Sequence, residues 1–124
     1  MPSITVVRGP CEGDYYPLGK RTMVIGRDEA APVQLTDELV SRKHAQIRWE
    51  DHDHTYHLLD MKSANGTFVN GRRVADDLLL RDGDLIELGA SRLMFSLIDF
   101  PNRQSALSHY KKRGERGKST LVET

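Results

Sequence analysis

Three short segments hold most of the chemistry in this chain: Gly26-Arg27, Ser41-Arg42-Lys43-His44-Ala45 and Asn65-Gly66-Thr67-Phe68-Val69-Asn70-Gly71. Together they offer two guanidiniums, an ammonium, two hydroxyls and two amides, a set of fixed positive charge and polar donors suited to an anionic ligand. They contain no nucleophile with an oriented base. Ser41 and His44 stand three apart, but the sequence places no third group to orient the imidazole, so the pair reads as structural. His52, His54 and His57 fall in or beside a charged turn, far along the chain from the single thiol, Cys11, and read as solvated rather than metal-ligating. Gly117-Lys118-Ser119 imitates the end of a phosphate-binding loop, yet position 112 is Lys where such a loop needs glycine. Gly13 to Lys20 has one residue too many and Arg21 in place of Ser or Thr. The expectation is therefore a binding protein and not an enzyme, with no cofactor and no metal.

The segments sit where strand patterns stop or start. Ile4 to Val7, Thr22 to Ile25 and Val33 to Leu35 read as strands, the last after the turn material Asp28 to Pro32. In His44 to Trp49, Ala45, Ile47 and Trp49 share one side and His44, Gln46 and Arg48 the other, which predicts a half-buried strand. Tyr56 to Asp60 pairs with it across the polar linker Glu50 to His54. Thr67 to Val69 ends in Asn70-Gly71, the dipeptide favoured in two-residue hairpin turns because both positions tolerate positive φ. Leu78 to Leu80, a turn at Asp82-Gly83, Leu85 to Leu88 and Arg92 to Ile98 complete the pattern. About ten short strands with Gly, Asp and Asn turns predict an all-β fold, a two-sheet antiparallel β-sandwich with binding loops at one end.

The 124 residues suffice for one domain, expected over residues 1–100, with 101–124 a basic, disordered tail. The formal net charge is zero, but residues 1–100 hold 12 Lys+Arg against 16 Asp+Glu and residues 101–124 hold 6 against 2, so a body of −4 carries a tail of +4. An acidic body argues against nucleic-acid binding by the domain itself, which needs a basic face to displace phosphate counterions. The apolar run near the N-terminus is too short for a secretory signal, no stretch reaches the roughly 20 apolar residues of a membrane helix, and the lone cysteine permits no internal disulfide. A cytoplasmic protein without a membrane partner is expected.

Gly-Arg, then Ser-Arg-x-His, then Asn-Gly-Thr-x-x-Asn-Gly, in this order, resembles the forkhead-associated (FHA) domain family over most of residues 1–100. The resemblance implies an 11-stranded β-sandwich whose loops bind phosphothreonine peptides, a mode in which Arg clusters read phosphorylated motifs. Such a phosphate carries about −1.5 to −2 charges and three acceptor oxygens. Arg27, always charged, Ser41 with its hydroxyl and backbone N–H, and Arg42 with a second fork or its N–H would clamp it. By similarity to the family, Asn65 holds the peptide backbone, and a small apolar recess for the threonine methyl separates phosphothreonine from phosphoserine. By the same resemblance Gly26 belongs to the structural motif, His44 ties the recognition loop down, and Gly66, Asn70 and Gly71 set turns away from the phosphate. Family members often carry Ser or Thr where this chain has Ala64; the loss of that hydroxyl either weakens phosphate binding or hands the contact to Ser63 or Lys43.

The expected role is that of a non-catalytic phosphopeptide-binding module in signal transduction, its partner a phosphothreonine protein. Two alternatives remain: an FHA-like scaffold that binds unmodified proteins through a sheet face, and a protein that binds nucleic acid or acidic partners through Lys111-Lys112-Arg113. Thr120 follows a basic cluster of the kind kinases prefer. Phosphorylated, it could enter the loops of its own or a neighbouring copy and give self-association. Arg72 to Asp77 and Ala90 to Arg92 are candidates for the subsite downstream of the phosphothreonine.

Overall fold

The computed structural model describes residues 2–97. Eleven strands run in chain order: β1 (Ser3–Arg8), β2 (Tyr15–Pro17), β3 (Met23–Gly26), β4 (Val33–Gln34), β5 (Ala45–Glu50), β6 (Thr55–Asp60), β7 (Thr67–Val69), β8 (Arg72–Arg73), β9 (Leu78–Leu79), β10 (Leu85–Leu88) and β11 (Ser91–Ser96). They form a six-stranded sheet in the order β2-β1-β11-β10-β7-β8 and a five-stranded sheet in the order β4-β3-β5-β6-β9. Every pairing is antiparallel except β3 with β4.

The core lies between the sheets and follows from the two-residue period. Ile4 and Val6 of β1, Leu93 and Phe95 of β11 and Ile86 and Leu88 of β10 meet Met23 and Ile25 of β3, Ala45 and Ile47 of β5 and Tyr56 and Leu58 of β6. Most are wholly buried, each Val, Leu, Ile or Phe among them contributing about 1.5–3 kcal/mol of transfer free energy. The Tyr56 ring meets Phe95 edge-on at 5.7 Å, and its hydroxyl donates to Gly19 O at 3.1 Å. That bond satisfies the polar end of a side chain whose ring is in the core.

The sandwich and nine of its strands match the sequence reading within a residue or two. Two strands have no counterpart in that reading. β8 consists of two exposed arginines and carries no apolar signal. β2 ends in a proline and does not alternate; it lies at the sheet edge, where a missing N–H is tolerated. The Asn70-Gly71 turn forms as expected: Val69 faces Arg72 across it, with φ of 52° and 84° at the two turn residues. The tail expectations, including those on Lys111 to Arg113 and Thr120, lie outside the described residues.

Candidate functional site

The end of β3 and the loop before β5 are zipped together by the main chain. Arg27 N–H donates to Ser41 O at 3.0 Å, Asp28 N–H to Arg42 O at 3.2 Å and His44 N–H to Ile25 O at 2.9 Å. This approach explains Gly26: a Cβ there would lie 1.9 Å from Arg42 O, well inside van der Waals contact, so no other residue fits without moving the backbone. The strand thus delivers Arg27 to the loop at a fixed distance. Its Nε–H donates to Val40 O at 3.0 Å, which pins one edge of the guanidinium. The terminal nitrogens have no partner among the described residues, and the side chain is exposed.

His44, wholly buried, joins two loops. Its Nδ1 accepts from Ser41 N–H at 2.9 Å and its Nε2–H donates to Gly66 O at 2.8 Å, which fixes the tautomer as neutral with the proton on Nε2. The Ser41 N–H, expected to face the phosphate, is therefore consumed by the imidazole, because the loop turns back on itself between the two residues. The imidazole takes the amide and not the hydroxyl, so Ser41 and His44 do not form a nucleophile with its base. Ser41 Oγ accepts from Ala64 N–H at 3.0 Å and keeps its own proton to donate. Asn65 spends one amide hydrogen on Leu39 O at 2.9 Å, leaving its carbonyl oxygen and second N–H. Arg42 and Lys43 are exposed, and neither side chain has a partner among the described residues.

Beneath the β6–β7 loop, Asp60 acts as a hub. Ser63 Oγ–H and Thr67 Oγ1–H donate to its Oδ1 at 2.5 and 2.7 Å, and Ser63 N–H to its Oδ2 at 3.1 Å. Burial pushes this carboxyl up, but the three hydrogen bonds outweigh it and hold the group below the ordinary aspartate range. Ser63 Oγ also accepts from Gly66 N–H at 3.0 Å, so its one proton and its acceptor side are both engaged inside the loop. Of the three residues considered for additional contact, Ser63 is turned to architecture, Ala64 offers only backbone, and Lys43 retains a free charge. Gly66 adopts φ of 82°, a conformation glycine takes without strain.

Asp37, 4% exposed, did not stand out in the sequence. Its Oδ1 accepts from Leu39 N–H at 2.9 Å, while its Oδ2 accepts from Ala90 N–H at 2.9 Å and Ser91 Oγ–H at 2.8 Å. One carboxylate thus bolts the recognition loop to the β10–β11 turn. The only local signal is an aspartate two residues before an N–H it can accept, the spacing of an Asx turn. Asn70 binds Asp84 and the Leu85 N–H at the far end of β7, away from Ser41, and with Gly71 sets the turn.

A recess of about 430 Å³ adjoins Asn65, lined also by Leu39, Phe68, Gly71, Glu87 and Gly89. It does not include the stretches Arg72 to Asp77 and Ala90 to Arg92 named as downstream candidates. A larger recess of about 850 Å³ is bordered by Arg72 to Asp77, but it contains none of Arg27, Ser41, Arg42 or Asn65. Among the described residues no group of three or more His, Cys, Asp or Glu is placed to hold a metal. His57 is not a solvated turn residue: it lies in β6 with Nδ1 2.7 Å from Asp77 Oδ1, and His54 packs its ring 5.6 Å from Trp49. Among the described residues no helix is long and apolar enough to cross a membrane.

Comparison with known proteins agrees with this geometry. The FHA domain model matches residues 23–89, which contain all three motif segments. The glycogen accumulation regulator GarA of Mycobacterium tuberculosis is 36% identical over 92 residues, 74% of this chain and 55% of the relative, so the chain spans about half the length of that protein. A structure solved in a study of phosphothreonine-dependent FHA domain interactions superposes with a TM-score of 0.70 at 33% identity, covering 80% of this chain and 98% of its own. The FHA domain of FhaA, crystallised with the intracellular domain of Rv3910, gives 0.68 at 35% identity, covering 77% and 99%.

Proposed function

This chain belongs to the FHA domain family, and from that premise we propose that it is a non-catalytic reader of phosphothreonine peptides. The observation that carries the reading is the state of Arg27: Nε is pinned to Val40 O at the end of a strand, while the terminal nitrogens have no partner among the described residues. A guanidinium held in this way has already lost much of its rotamer freedom, and it matches phosphate oxygens with two parallel donors. Ser41 supplies a hydroxyl proton beside it, Arg42 a further cation, and Asn65 the free half of its amide for the peptide backbone. Gly26, His44, Asp37, Asp60, Gly66, Asn70 and Gly71 position these groups without touching the phosphate. Lys43 takes the place of the hydroxyl missing at Ala64.

The site is cationic on a body whose net charge is −4, so attraction is confined to these loops and does not extend to polyanions in general. A peptide running on past Asn65 would meet the recess containing Leu39, Phe68 and Glu87. Phosphothreonine is made by ATP-dependent kinases, which places the reader in the cytoplasm, where it joins a phosphorylated protein to its signalling partners. The test is an oriented peptide library offered as phosphothreonine, phosphoserine and unmodified threonine. Binding limited to the phosphothreonine form is expected. Equal binding of unmodified threonine would contradict the reading and favour a scaffold that works through a sheet face.

A further inference from the structure

A row of residues crosses the outer face of the six-stranded sheet at the end that carries the binding loops. Cross-strand pairing sets Arg73 opposite Phe68, Phe68 opposite Glu87, Glu87 opposite Arg92 and Arg92 opposite Arg8, so one line runs through β8, β7, β10, β11 and β1. Val69, Ile86, Leu88 and Leu93 point into the core, and the period of two turns their neighbours Phe68, Glu87 and Arg92 outward. Arg8 joins them through a bulge. The same period counted from Ile4 and Val6 would turn it inward, but the register shifts between Val6 and Arg8 and brings Arg8 opposite Arg92, the re-aiming of a side chain that bulges perform. The row adjoins the loops along its length. A Cβ on Gly66 would lie 3.3 Å from Arg73 Cζ, so that guanidinium rests against the loop that carries Asn65. Phe68 and Glu87 line the recess beside Asn65, and Ser91, next to Arg92, is bonded to Asp37 of the recognition loop.

The far end of the row lacks negative charge. Like charges directly opposite one another in an antiparallel pair repel. Arg92 Nη2 lies 3.5 Å from Glu87 Oε2, but Arg8 is exposed and has no hydrogen-bond or ion-pair partner among the described residues, so one carboxylate serves two facing guanidiniums. This happens on a body whose net charge is −4. Building on the phosphothreonine reading of the loops, we infer that Arg8 and Arg92 form a second subsite, which takes the carboxylates of an acidic stretch in the same phosphorylated polypeptide after it leaves the recess. Neighbouring strands are about 4.8 Å apart, which puts Arg92 about 10 Å and Arg8 about 15 Å from Phe68 along the row, or roughly three and five extended residues. A carboxylate between the two guanidinium forks accepts from both and removes the repulsion that the pairing imposes. The subsite thus ranks phosphothreonine partners by the acidity of one flank and leaves the phosphate contact itself to the loops.

The probe is a library-selected phosphothreonine peptide, its own acidic residues replaced by alanine, used as such or carrying four glutamates towards one end or the other. It is titrated at low salt into wild-type protein, into Arg8→Ala/Arg92→Gln and, as a control for overall charge, into Arg21→Ala, which lies before β3 at the strand end remote from Gly26. Glutamates on one flank should tighten binding to the wild type about three- to ten-fold, as two exposed ion pairs do. Arg21→Ala should keep that gain and the double variant should lose it, while all three bind the neutral phosphopeptide alike. Arg8→Glu changes only an exposed side chain, so it serves even if the double variant does not fold, and it should turn the gain into a loss. No gain in the wild type, or an equal gain in Arg8→Glu, would overturn the subsite and leave the reader standing. A wild type that binds the neutral peptide equally well without its phosphate would overturn the reader and this inference with it.

Discussion

The side chains proposed to face the phosphate are few, and most polar residues near them work on the loops instead. Asp60 receives three hydrogen bonds from Ser63 and Thr67, and its carboxyl lies below the ordinary aspartate range because these bonds outweigh the cost of burial. A carboxyl whose folded pKa is depressed contributes stability that is fully present above its unfolded pKa, about pH 4, and that disappears as pH falls through the folded value. Asp60→Asn should therefore be less stable than the wild type at pH 7, and the gap between the two should narrow below about pH 4. Urea unfolding at stepped pH measures it; a gap that stays constant into acid would show that the charge on Asp60 does not matter. Arg27, Ser41, Arg42 and Asn65, the residues proposed to bind, could be named from the sequence because they stand in short motifs, and the fold brings the loops that carry them together. Asp37 was not, since its partners Ala90 and Ser91 lie more than fifty positions away and only the folded chain brings them together. The Ser41 N–H was assigned to the ligand because a motif does not say which way a loop closes.

Among elements, the decisive contact is between the end of β3 and the loop leading into β5. Three main-chain hydrogen bonds close it, and Gly26 is the residue that lets the two backbones approach. Gly26→Ala places a methyl against Arg42 O, so strand and loop must separate. We expect a loss of about 1–3 kcal/mol, the usual cost of overpacking, visible as a drop in Tm, together with weaker peptide binding because Arg27 and Ser41 move apart. An unchanged Tm would mean that the loop is not held as described. Strands with alternating apolar residues, such as Ala45–Glu50 and Leu85–Leu88, announced themselves. β8 did not, because an edge strand of two exposed arginines buries nothing and owes its place to the Asn70-Gly71 turn and its pairing with β7. The crossing of the chain from β9 in one sheet to β10 in the other was equally silent, as an Asp-Gly turn specifies a reversal but not the sheet that receives it.

At the scale of the whole molecule, the sandwich is a platform that carries the proposed binding loops at one end. The fold class followed from strand spacing, and the family from three motifs in order. A guanidinium pinned at a strand end, two loops tied by His44 and a third bolted by Asp37 amount to preorganisation, which lowers the ordering cost of binding. The central claim is that Arg27 pairs with the phosphate of a phosphothreonine ligand. Calorimetric titration of one library-selected phosphothreonine peptide into wild-type protein and into Arg27→Ala, each with its Tm recorded, tests it most directly. The account predicts a loss of about 2–5 kcal/mol, enough to abolish a micromolar interaction, with Tm nearly unchanged because the side chain is exposed. Equal affinity of the two proteins for the phosphopeptide would contradict it.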